Sequence, residues 1–117
     1  MPVIQIFGSL KSHETNKAIR FFKERSIEIH FVDLAEKGIT IGELENISKK
    51  IPVEKLIDND SKVYKRLNLN FMIFDPASKI LENPLILKTP ITRFGKEVSV
   101  GYEPAKWIKW MEKEKKI

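Results

Sequence analysis

Val3-Ile4-Gln5-Ile6-Phe7-Gly8, followed by Ser9-Leu10-Lys11-Ser12, gives a β-rich apolar run, a glycine stop and a short polar loop. A run this short, apolar and bounded by glycine reads as a buried strand. Ser12 is placed to cap a helix, with Glu14 in its first turn, where the positive end of the helix dipole favours an acid. Ala18, Phe21 and Phe22 stand at i, i+3 and i+4, which predicts an amphipathic helix ending near Arg25-Ser26. Ile27, Ile29 and Phe31 then alternate with Glu28, His30 and Val32, the pattern of a second strand. Strand, helix and strand in close succession predict a βαβ unit with parallel strands and a right-handed crossover.

Working outward, the middle changes character. Thr40-Ile41-Gly42-Glu43 fits a capping box, and Leu44, Ile47 and Ile51 supply the apolar face of a short helix stopped at Pro52. Val53 to Ile57 and Ser61 to Leu67 predict further short helices, joined by the polar Asp58-Asn59-Asp60. Asp75-Pro76 sets an N-cap before a proline at the first helical position and starts another helix through Leu81. Residues 35–83 therefore read as a helical insertion. After Asn83-Pro84, Leu85-Ile86-Leu87 and Glu97-Val98-Ser99-Val100-Gly101 predict an antiparallel hairpin whose loop is the turn-rich Thr89 to Gly95. Glu103-Pro104 opens a last helix, along which Trp107 and Trp110 are expected not to share one face fully with Ile108 and Met111. One of the two indoles should then be partly exposed.

The 117 residues suit one domain, 1–117, and 42% hydrophobic content suffices for its core. Charged residues make up 32%, with a net +5, but bases and acids interleave, as in Glu112-Lys113-Glu114-Lys115-Lys116. A nucleic-acid surface would gather its cations on one face or in one run, so nucleic acid is not expected as a partner. No signal peptide is expected, no stretch approaches the roughly 18 apolar residues of a membrane span, and the expected location is the cytoplasm. Abundant Lys and Glu without cysteine is also a composition that high-temperature proteins favour. The absence of cysteine removes disulfides, thiolate metal sites and thiol catalysis together.

The order β-α-β, helices, β-β-α is the thioredoxin-like layout, an α/β fold with a four-stranded mixed sheet whose first two strands are parallel and last two antiparallel. Ile4 to Gly8, Lys17-Ala18, Phe22 and Phe31-Val32-Asp33-Leu34 resemble the start of ArsC-family proteins, which include arsenate reductases and Spx transcriptional regulators. Thr40 to Leu44, Val53 to Ile57, Tyr64 and Leu67 resemble that family's helical insertion. Asn83 to Leu87, Val100-Gly101-Tyr102 and Trp107 resemble its closing hairpin and helix.

By this resemblance Ser12 holds the place of the family's nucleophilic cysteine, and Thr15 the place of a second cysteine in some members. A serine hydroxyl is not ionised near neutral pH without an adjacent base and cannot form a mixed disulfide, so the site is degenerate for thiol exchange and thiol-based arsenate reduction. The reductases' arginine before a proline is carried onto Asn83 before Pro84, which would remove a charge and a bidentate fork. The resemblance also implies a cis peptide at Pro84, facing the first helix. Arg93 is carried over as a remnant of the family's arginines, against the plainer reading of an exposed turn residue. His13 as a base for Ser12 is disfavoured, since neighbouring helical residues point about 100° apart. A capping serine beside an exposed histidine explains both.

A helix start does offer free N–H groups, so Lys11, Ser12 and His13 remain candidates for holding a small oxyanion or glutathione without a covalent bond. His13 and His30 are the only histidines and have no metal-ligand spacing, and phosphate-binding glycine motifs are absent, so neither metal nor cofactor is expected. Three functions stay open. The first is a binding or regulatory module without thiol redox activity, of which an Spx-like regulator contacting RNA polymerase is one form. The second is an oxidoreductase-family enzyme borrowing glutathione or a partner protein's thiol. The third is a hydroxyl-based glutathione-binding enzyme. The degenerate site favours a non-enzyme.

Overall fold

In a computed structural model, residues 3–115 are described; Lys113 to Lys116 of the charge-alternating end fall outside the side chains described. The chain divides into two compact units, Met1–Val32 with Thr89–Ile117, and Asp33–Lys88.

The first unit holds β1 (Ile4–Gly8), α1 (His13–Glu24), β2 (Ile29–Asp33, its last residue at the unit boundary), β3 (Ile91–Phe94), β4 (Glu97–Val100) and the closing α6 (Pro104–Lys115). The strands form a mixed four-stranded sheet in the order β2-β1-β3-β4. β3 runs antiparallel to both neighbours, with Gln5 opposite Arg93, Ile6 opposite Thr92 and Thr92 opposite Ser99. The mixed character therefore comes from β2 against β1, joined through α1 as the expected βαβ unit.

Because strand side chains alternate, Ile4 and Ile6 share one sheet face, and that face carries the core. Against them pack Ala18, Phe21 and Phe22 of α1 and Trp107 and Trp110 of α6. The aromatic rings meet at angles, Phe22 to Trp107 at 5.0 Å and Phe21 to Trp107 at 5.2 Å. Both tryptophans are buried, correcting the expectation that one would be partly exposed; Ile108 turns outward instead. Positions 107 and 110 are i and i+3, one ridge of the helix, and 108 lies off it. The Trp107 indole N–H donates to buried Ser99 Oγ at 2.8 Å, which satisfies two polar groups that the core would otherwise strand.

The β3–β4 hairpin differs from expectation in its first strand. Leu85-Ile86-Leu87 form no strand: Pro84–Ile86 is a 3-10 turn, and Leu87 makes one isolated bridge to Ile57. A short apolar run marks burial, which a strand and a buried turn satisfy equally, and Ile86 and Leu87 are indeed buried. The strand is Ile91–Phe94, inside the stretch expected to be loop, and the actual loop is Gly95-Lys96, with Phe94 opposite Glu97. Gly95 takes φ +59°, as the first position of a two-residue hairpin loop can require.

The second unit is the helical one: α2 (Ile41–Ser48), α3 (Val53–Leu56), α4 (Lys62–Arg66), a 3-10 turn at Leu69–Phe71, α5 (Pro76–Glu82) and the turn at Pro84–Ile86. Thr40 caps α2 in a full capping box with Glu43, Ser61 caps α4, and Asp75 caps α5 through Ser78 with Pro76 in the first turn. Leu44, Ile47, Leu56, Leu69, Ile80 and Ile86 are among its buried side chains.

Candidate functional site

The loop after β1 delivers Ser12 to the tip of α1. Gly8 ends the strand where no larger residue fits: a Cβ there would stand 2.5 Å from Thr15 Oγ1 and 2.7 Å from its Cγ2. The loop then closes on itself, Ser12 N–H donating to Ser9 O at 2.9 Å and Asn16 Nδ2 to Leu10 O at 2.8 Å. Ser12, extended at φ −83° and ψ 123°, caps the helix by accepting the Thr15 N–H on Oγ at 3.3 Å.

A second donor reaches the same oxygen. Thr89 Oγ1 donates to Ser12 Oγ at 2.9 Å, and the cis peptide bond among the described residues is Thr89–Pro90, immediately before β3. Pro84 does not hold it. The cis peptide expected at Pro84 is therefore not found there. The residue before the cis proline is Thr89, a neutral hydroxyl donor. Asn83 is instead the C-cap of α5, its N–H donating to Lys79 O, and Pro84 is the first residue of the following turn, both in the second unit. A proline just past a helix end is a stop signal in its own right.

Of the other candidates, Lys11 and His13 are exposed, and no hydrogen bond joins His13 to Ser12 among the described residues. Thr15 is fully buried against Gly8, with Oγ1 lacking a partner among the described residues. Arg93 is no loop residue. It lies half-buried on β3 beside Gln5, its strand neighbour, and Nη1 donates to Gln5 Oε1 at 3.1 Å.

Chemically, the Ser12 oxygen accepts two hydrogen bonds, and no base is bonded to it among the described residues. A hydroxyl at this position, unlike a thiol, cannot form a mixed disulfide. With no cysteine anywhere in the sequence, no sulfur nucleophile exists to replace it.

The sequence matches the ArsC family profile over residues 7–110. The chain belongs to the ArsC family. It is 33% identical over 105 residues to the global transcriptional regulator Spx 2 of Oceanobacillus iheyensis, covering 85% of this chain and 76% of that protein. It is 28% identical over 105 residues to the global transcriptional regulator Spx of Staphylococcus aureus, covering 86% and 80%. Its fold is similar to that of an ArsC family related protein from Bacteroides fragilis, with a TM-score of 0.78, 23% identity and coverage of 91% and 95%. It is similarly close to an arsenate reductase from Vibrio cholerae, with a TM-score of 0.78, 16% identity and coverage of 92% and 97%. These likenesses to solved structures speak to fold alone. No helix among the described residues is long and apolar enough to cross a membrane.

Proposed function

We propose that this ArsC-family chain is a binding or regulatory module of the cytoplasm that performs no thiol redox chemistry and acts through a protein partner. The observation that carries the reading is the tip of α1, where Ser12 Oγ, held by Thr15 N–H and Thr89 O–H, stands in a chain without cysteine. Relatives named as global transcriptional regulators support a protein partner, and RNA polymerase is the first to test.

The test has two arms. Purified chain should reduce neither arsenate nor a model disulfide with glutathione or a thiol protein supplied, and should be retained by immobilised RNA polymerase. Turnover in the first assay would sink the non-enzymatic reading, and no retention in the second would sink the polymerase. Thermal shifts with glutathione, arsenate and phosphate separate out the small-ligand alternative. Ligand at 100 times its dissociation constant stabilises by about 2.7 kcal/mol, well within detection.

A further inference from the structure

Arg93 sets a cation into the sheet of the first unit with no acid beside it. It pairs with Gln5 across the β1–β3 ladder, so both side chains take the face turned away from Ile4 and Ile6. Ile4 N–H donates to Glu28 O at 3.2 Å, which in parallel pairing sets His30 beside Gln5. Val98 lies opposite Arg93 on β4. The row across this face is therefore His30, Gln5, Arg93 and Val98, with no carboxylate in it. Gln5 precedes Gly8 by three residues, which puts the row about 10 Å along β1 from the loop that carries Ser12. It is a separate place from the tip of α1.

The guanidinium is half-buried, and its nitrogens are unequally engaged. Nη1 donates to Gln5 Oε1 at 3.1 Å. Nε is buried without a hydrogen-bond partner, Nη2 donates to nothing among the described residues, and Arg93 is in no ion pair among them. Nε and Nη2 form one edge of the guanidinium fork, whose two parallel N–H groups match the two oxygens of a carboxylate. A water molecule could accept from one of them but would leave the charge uncompensated. Drawing a cation out of water costs free energy that an opposite charge with matching acceptors recovers. A carboxylate brings the charge and both acceptors together.

We propose that the Nε–Nη2 edge of Arg93, with Nη1 held by Gln5, is a binding site for one carboxylate. A small organic acid or an acidic side chain of a protein partner would present the same group to it.

Titration of the isotope-labelled chain with acetate, at an ionic strength held constant with chloride, tests it by NMR at the arginine Nε–Hε signals. The Arg93 signal, assigned by its loss in Arg93→Lys, should move to saturation with acetate and stay in place with chloride. Arg93→Lys keeps the charge without the fork, so the amides of Gln5 and Val98 should report binding at least about tenfold weaker. Gln5→Glu sets a carboxylate against the guanidinium from within the chain. It should abolish the acetate response and raise the melting temperature by roughly 4 °C. An Arg93 signal that acetate does not saturate, equal acetate binding by Arg93→Lys, or a wild-type response in Gln5→Glu would each overturn the proposal. So would saturation by inorganic phosphate and not by acetate. With acetate binding established, retention on RNA polymerase separates the sources: loss in Arg93→Lys assigns the carboxylate to the partner, and unchanged retention assigns it to a small acid. The acetate arm stands whether or not the polymerase is the partner.

Discussion

Thr15 N–H and Thr89 O–H both point hydrogen-bond donors at one oxygen, and both would remain in place for a sulfur. Donors aimed at an atom favour its anionic form, as does the positive end of α1. Ser12→Cys should therefore carry a thiol with a pKa below the free value of about 8.5, read from the pH dependence of its alkylation by iodoacetamide. A free-like value would mean that the donors do not reach the sulfur. Gly8→Ala should destabilise by about 1–3 kcal/mol in urea unfolding, because the added methyl meets Thr15 side-chain atoms at 2.5 and 2.7 Å. Ser12 was legible in the sequence because capping is local chemistry, decided within three residues. Thr89 was not: its bond to Ser12 spans 77 residues of chain, and no spacing rule reports a contact made only by folding.

At the scale of elements, the helix starts show how far local rules reach. The capping box at Thr40 and the caps at Ser12, Ser61 and Asp75 formed where their side chains specified them. Thr40→Ala should cost about 1 kcal/mol by chemical denaturation, the usual worth of an N-cap. The Ser78 hydroxyl, and then its backbone N–H, hold the Asp75 carboxyl below its ordinary range. A lowered folded value means that this cap stabilises α5 above the unfolded carboxyl's pKa and loses that contribution as pH falls through the folded one. Asp75→Ala should thus narrow its stability gap to wild type in acid, measured as melting temperature against pH. The third strand departs from expectation because Leu85-Ile86-Leu87 is the continuously apolar run, whereas Ile91 to Phe94 is broken by Thr92 and Arg93. What separates them is which run pairs with β1, information held in Gln5, Ile6 and Phe7 far upstream.

For the whole molecule, both tryptophans lie in the first unit and Tyr64 in the second, so fluorescence excited selectively at tryptophan reports on the sheet unit alone. The expectation of one domain across 1–117 predicts that this signal and helical circular dichroism lose structure in coincident transitions, as small cooperative domains do. Two separated transitions would divide the chain at the boundaries near residues 33 and 88. The βαβ start, the closing helix and the helical middle were all readable in the sequence, since each rests on periodicity within its own segment.

The hydroxyl pair at the tip of α1 has a consequence for control. Peroxide and oxidised glutathione find nothing there to convert, so whatever this end of the molecule holds is held alike in reducing and oxidising surroundings.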